Sequence, residues 1–111
     1  MTRYSYVVLT RAAAGRETEF ARWYDEQHLG DVQRVEGVVS ARRFDLVKQI
    51  TTNLNAPQWH SLAIYEIESE DPQSVLKAIS SLADTAAMPL STALVKDGMI
   101  QILAKPAGAA G

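Results

Sequence analysis

The stretch "WHSLAIYEIESEDPQSVLKAISSLA", residues 59–83, decides the fold. Its first nine residues are rich in side chains that suit a pleated sheet, so 59–67 reads as a strand. Asp71 then takes the N-cap position of a helix. Pro72 follows at the first helical position, where its missing N–H costs nothing. Val75, Leu76, Ile79 and Leu82 recur beyond it at helical spacing and form an apolar stripe.

Working outward, "YSYVVLT" (4–10) reads as a strand ended by the small residues "AAAG", and from about Arg16 the period changes. Phe20, Trp23, Tyr24, Gln27 and His28 fall at spacings of three and four along one side of a helix. Gly30 is expected to interrupt it, with a short further turn over 31–35 before Gly37. "VVSARRFDLV" (38–47) is a second strand, and "KQITTNLNAPQ" (48–58) has no period and reads as a loop. Pro89 precludes a long helix in 84–98, "MIQILA" (99–104) is a final strand, and "KPAGAAG" (105–111) is a loose tail. The order β-α-β-β-α-β predicts an α+β fold of the ferredoxin-like split βαβ type, an antiparallel sheet with both helices on one face. A chain of 111 residues suits one domain, residues 1–111.

Composition narrows the function classes. The chain is 47% hydrophobic and 22% charged, with eleven Lys and Arg against thirteen Asp and Glu. The basic residues are scattered apart from Arg42-Arg43, so no nucleic-acid partner is expected. There is no cysteine, hence no disulfide or thiolate chemistry. Neither a signal-like start nor an apolar run long enough to span a membrane is present, which predicts a cytoplasmic protein without a membrane partner.

Strand alternation separates two faces. Val7, Leu9, Phe44, Leu46, Leu62, Ile64, Ile100 and Ile102 form an aliphatic set suited to packing under the helices. The opposite set holds Tyr4, Tyr6, Val8, Trp59, Ala63, Tyr65, Met99 and Leu103, with Ser61, Arg43, Asp45 and Gln101 among them. It is too apolar to face water alone, so a second copy packed sheet to sheet, a homodimer, is expected to cover it.

The order of elements, together with "WYDEQHLGDVQRVEGVVSARRF" (23–44) and "LAIYEIESEDP" (62–72), resembles the dimeric α/β-barrel superfamily, and within it the EthD-type branch. The characteristic feature is a helix-end His followed nine residues later by Gly before the second strand, here His28 and Gly37. The resemblance spans roughly residues 3–104 and implies a dimeric α/β barrel. Members of that superfamily include polyketide cyclases, cofactor-free monooxygenases, muconolactone-type isomerases and haem-degrading enzymes; related isomerases use a His at the His28 position. Fold alone does not choose among them.

Three residues are candidate catalytic groups. His28 sits at the edge of the stripe that faces the sheet, and an imidazole with a pKa near ~6.5 exchanges protons at neutral pH. Asp25 and Asp31, three positions to either side, are placed to orient it. The competing reading is a helix-end His that bonds to backbone carbonyls. His60 shares a face with Leu62 and Ile64, which points it towards the helices and His28; otherwise it is a strand-end His beside a polar loop. Tyr65 is a candidate helper. Phe20, Trp23, Tyr24, Trp59 and Arg43 are the candidate substrate-binding set, with core packing the competing role for the aromatics and pairing with Asp45 for Arg43. No HxH or HxxxH spacing supports a metal, and no cofactor is expected.

The leading expectation is a cofactor-independent lyase, isomerase or cyclase acting on a small apolar, aromatic or polyketide-like substrate, with proton transfer by His28. A non-catalytic carrier or accessory protein of a catabolic pathway is the second reading, and haem- or oxygen-dependent monooxygenase chemistry the third.

Overall fold

The computed structural model describes residues 2–110; Met1 and Gly111, the outermost residues of the expected domain and tail, lie outside the described residues. The elements run β1 (Arg3–Ala12), α1 (Glu17–Trp23), a π-helical turn (Tyr24–His28), α2 (Leu29–Gln33), β2 (Val38–Asp45), β3 (Ser61–Glu68), α3 (Pro72–Leu82) and β4 (Leu94–Ala104). The four strands form one sheet in the order β2-β3-β1-β4, antiparallel throughout. This is the ferredoxin-like arrangement that the order of elements predicts.

Local chemistry accounts for the element ends. Asp71 caps α3 by accepting the Ser74 N–H at 3.3 Å, with Pro72 just inside the helix. Gly37 has φ +99° and its carbonyl accepts the Glu68 N–H at 2.8 Å; a Cβ there would lie 2.8 Å from Val75 Cγ2. The position therefore needs both the left-handed backbone and the missing side chain.

Two boundaries differ from expectation by more than two residues. Gly30 does not interrupt the first helix but lies inside α2; the irregularity comes earlier, where the turn over Tyr24–His28 is wound as π helix. Such bulges insert extra backbone into a helix and re-aim its side chains. β4 starts at Leu94 rather than Met99, because Leu94 and Val95 pair with Ala12 and Arg11 before the register slips at Lys96–Met99, with Gly98 at φ +79°.

The two faces of the sheet are inverted relative to expectation. Tyr6, Val8 and Ala12 of β1 and Ala63, Tyr65 and Ile67 of β3 are the buried residues, packed with Phe20, Tyr24, Val32, Val75 and Ile79 of the helices. Val7, Leu9, Leu62, Ile64, Ile100 and Ile102 occupy the opposite, outer face in register with one another, and Phe44 lies beside Leu62. Ile102 is 47% exposed and Phe44 37%. Alternation gives the two sets without saying which is inside; here the helices cover the aromatic, polar-edged set. No helix among the described residues is long and apolar enough to cross a membrane.

Candidate functional site

The inner face is not filled completely. A cavity of about 690 Å³ lies between the sheet, the first helix and α3, walled by Val8, Val32, Leu76, Ile79, Met88 and Leu90. Its size and mixture of apolar walls with a few polar groups are those of a small-molecule site. Tyr6, Thr10, Tyr65 and Gln101 enter from the sheet, Trp23, Tyr24 and His28 from the helical rod, and exposed Gln73, Lys77 and Ser80 from α3.

The π turn sets the geometry of His28. Its ring stacks on Trp23, with centroids 4.7 Å apart and planes 27° apart, and meets Tyr24 edge-on at 5.2 Å. Trp23 is itself tied by Nε1 to the Pro89 carbonyl at 3.0 Å, which moors the first helix to the segment carrying Met88 and Leu90. His28 Nδ1 is buried and has no hydrogen-bond partner among the described residues. Burial pushes the imidazole pKa down to about 4, against the opposing pull of Asp31. The ring is therefore neutral at pH 7, an acceptor and donor rather than a fixed cation. Asp31 is held by Arg34 and by Gln27, whose Nε2 donates to Oδ2 at 2.7 Å.

Tyrosine hydroxyls furnish the rest of the polar lining. Tyr6 donates to Gln101 Oε1 at 2.5 Å, and its ring lies 5.7 Å from that of Tyr65. Burial and the neighbouring Tyr24 push Tyr6 up to about 12. Tyr65 is shifted upward by burial and by Tyr24 and Tyr6; Tyr24 is raised by burial, with Tyr65 and Thr10 acting on its hydroxyl in the opposite sense. All three phenols stay protonated at neutral pH. Tyr65 Oη and Thr10 Oγ1 are buried beside the Tyr24 hydroxyl, without a well-aligned hydrogen bond among the described residues.

Four of the expected site residues, Phe20 among them, stand apart from this cavity. His60 follows Leu62 and Ile64 to the outer side, as strand parity requires once the faces are inverted; it is exposed, and its Nδ1 accepts the Ala12 N–H at 2.8 Å. It closes the strand edge and does not meet His28. Trp59 donates through Nε1 to the Gly98 carbonyl at 3.3 Å, pinning the 46–60 connection to the irregularity in β4. Arg43 is on the inner side, but its guanidinium is taken up by Asp25, at 2.7 and 3.0 Å, and by Asp45 at 2.6 Å, 5.8 Å above the Tyr24 ring. It pairs with Asp45 within the chain, not across an interface. The hydrogen bonds from Arg43 lower the Asp25 pKa, against a smaller opposing effect of burial.

Phe20 is buried behind the cavity, its ring edge-on to Tyr24 at 5.5 Å. His28, Tyr65, Trp23 and Tyr24 do come together at the cavity wall. Thr10, Tyr6 and Gln101 join them without having been singled out as site residues. The signal for them was strand parity, since each shares the face of Tyr65. Among the described residues, no three His, Asp or Glu side chains converge as a metal-binding group.

No protein-family profile matches the chain, and no curated protein matches it by sequence. A search of solved structures does find a relative in shape. One match is an ethyl tert-butyl ether d (EthD) family protein from Bacillus halodurans C-125, with TM-score 0.59 and 12% identity, covering 96% of this chain and 99% of that one. At that identity the likeness speaks to architecture. Over nearly its whole length the chain has the ferredoxin-like fold of an EthD family protein.

Proposed function

We propose that this protein is a cofactor-independent lyase, isomerase or cyclase that acts on a small, largely apolar, aromatic or polyketide-like molecule held in the inner cavity. The observation that carries the reading is His28: a half-buried, neutral imidazole in the cavity wall, fixed by its stack on Trp23. A neutral imidazole takes a proton from a carbon made acidic by an adjacent carbonyl, or from a phenol, and returns it to another atom of the same molecule. Tyr65, still protonated, offers its hydroxyl to the oxygen on which negative charge grows, and in a water-poor cavity such a donor acts strongly. The imidazolium formed and the oxyanion then stabilise each other until the proton is returned.

The same reading takes the protein as a homodimer. The outer face presents Val7, Leu9, Leu62, Ile64, Ile100 and Ile102 in one aliphatic patch, the kind of surface that a second copy covers by symmetry. The resemblance to the dimeric α/β barrels supports the same assembly.

The test is turnover. Wild type and His28→Ala are incubated with phenols, lactones, aromatic acids and haem, and each hit from a thermal-shift screen is analysed by mass spectrometry. Conversion by wild type alone, with the variant folded and still binding, is the expected result. A fully active His28→Ala protein overturns the mechanism, and binding without conversion makes the protein a carrier.

A further inference from the structure

The lining of the cavity changes in character with depth. Val8, Tyr24, Val32, Tyr65, Ile79 and Met88 belong to its buried part. The exposed lining residues are Gln73, Lys77 and Ser80 of α3 and Gln101 of β4, and they mark its mouth. All of them are polar. Gln73, Lys77 and Ser80 recur at spacings of four and three, which sets them in one row along α3. Gln101 receives the Tyr6 hydroxyl on Oε1, which leaves its amide N–H groups as donors.

The charge at this mouth has one sign. Lys77 is the one charged residue of α3, and no Asp or Glu among the described residues lines the cavity with it. None of the ion pairs among the described residues takes up its ammonium. His28 is uncharged at neutral pH, and Arg43, held by Asp25 and Asp45, stands outside the lining. On one side the mouth adjoins a shallow groove that shares Gln73 and Leu103 with it and holds Glu70, Asp71 and Lys105. An anion there meets two carboxylates against one lysine, so Lys77 is the favoured place for it. Deep in the cavity a carboxylate gives up its hydration and gains no counter-charge. At the mouth it keeps water on one side and gains an ammonium on the other.

We propose that Lys77 is a specificity-determining residue that holds a carboxylate at the cavity mouth, with Ser80 and Gln101 as further donors, while the apolar body of the ligand fills the cavity. The ligand class narrows to aromatic or polyketide-like molecules with an acid group at one end. Anchoring the acid at Lys77 also fixes which end enters: the carbon skeleton, not the carboxylate, goes in towards the buried walls. The inference rests on the functional reading above only in seating the substrate in this cavity; it does not need His28 to move a proton.

The experiment compares 2-naphthoate with its neutral isostere 2-naphthamide, with affinities from calorimetry at pH 7. Wild type is expected to bind the carboxylate about tenfold tighter at low salt, the discrimination that a charge-assisted hydrogen bond supplies. Because the mouth is open to solvent, that advantage shrinks at about 0.5 M NaCl, whereas naphthamide affinity does not fall. Lys77→Gln abolishes both the preference and its salt dependence and leaves naphthamide affinity unchanged. Lys77→Arg retains the preference, and Lys77→Glu reverses it. Lys77 is exposed on α3, so these variants keep the fold, which circular dichroism checks. Equal or tighter binding of naphthamide by wild type overturns the proposal, as does a carboxylate preference that survives in Lys77→Gln, or failure of both probes to bind. A His28→Ala protein separates the two ideas. If it keeps the carboxylate preference and matches wild-type turnover, the Lys77 assignment stands and the His28 mechanism falls; if turnover needs His28 but the amide binds as tightly as the acid, the reverse holds.

Discussion

The imidazole of His28 lies flat against the indole of Trp23, 4.7 Å between centroids, and the Trp23 Nε1–H is spent on the Pro89 carbonyl. The stack fixes the ring while leaving Nδ1 free, and it buries the imidazole in surroundings that disfavour its charged form. The active protonation state is then the neutral one, and it is lost only as pH falls through about 4. kcat/KM of a His28-dependent reaction is therefore expected to hold level from pH 8 down to about 5, without the fall near ~6.5 that an unperturbed histidine gives. An NMR titration of the His28 ring protons checks the assignment directly; a midpoint near ~6.5 contradicts it.

The same depression links stability to pH. In the unfolded chain His28 takes up a proton as pH falls through ~6.5, while in the folded protein it does so only near about 4. The unfolded state binds more protons throughout that interval, so the contribution is complete above ~6.5 and is lost as pH falls to about 4. It is on the order of 2–3 kcal/mol, reduced from the full linkage value because the ring is not wholly enclosed. Urea denaturation at pH 7 and pH 4.5 checks this. His28→Gln should lose less stability over the interval than wild type, and an equal loss would place the effect elsewhere, for instance on the depressed Asp25 carboxylate.

How far the sequence carries is clearest at Tyr6 and His60. Element order, the Asp71 cap and the strand parity of every residue around Tyr65 were legible, because caps and period-2 alternation are local properties. Which parity faces inward was not. An aliphatic set including Val7, Leu9, Leu62 and Ile64 resembles a core more than one that mixes Tyr6, Thr10, Ser61 and Arg43, yet the helices cover the second. The polar members of the inner face border a cavity or hold the first helix in place. With parity inverted, His60 moves outward and Tyr6 and Gln101 move in. Nor was the π turn legible, since spacings of three and four fit an α-helix through Gln27 and His28 equally well.

Arg43 joins the π turn to the edge strand, with a side chain only 7% exposed, whereas its partners Asp25 and Asp45 are 52% and 78% exposed. Removing it leaves carboxylates that water can solvate, so Arg43→Ala is expected to cost about 1–2 kcal/mol, less than breaking a fully buried pair. Asp25→Asn should cost more than Asp45→Asn, since Asp25 receives two donors and Asp45 one. Chemical denaturation of the three variants ranks them. Increased hydrogen exchange over residues 24–28 in Arg43→Ala would identify the π turn as the element released.

Gly37 combines φ +99° with a Cβ position 2.8 Å from Val75 Cγ2. Gly37→Ala is expected to lose about 1–3 kcal/mol, part backbone strain and part displacement of α3 by way of Val75. Pairing it with Val75→Ala separates the parts: relief of the clash should recover some of the loss, whereas strain remains. Simple additivity of the two substitutions would mean that Val75 gives way freely and that the backbone alone needs glycine here.

Ile102 pairs with Val7 in the middle of the outer face and is 47% exposed. If a second copy covers this face by a two-fold axis, a single Ile102→Lys substitution buries a charge from each copy, and neither charge finds a partner among the aliphatic side chains. The expected result by analytical ultracentrifugation is a dimer for wild type and a monomer for the variant, with at least a ~100-fold weaker association. The substitution leaves the cavity untouched, because Ile102 points away from it while Gln101 and Leu103 point in. The monomeric variant should therefore still bind the small apolar ligands that stabilise wild type. Loss of binding with dissociation would instead make the cavity depend on the partner copy, and a wild type that sediments as a monomer at tens of micromolar would remove the homodimer reading altogether.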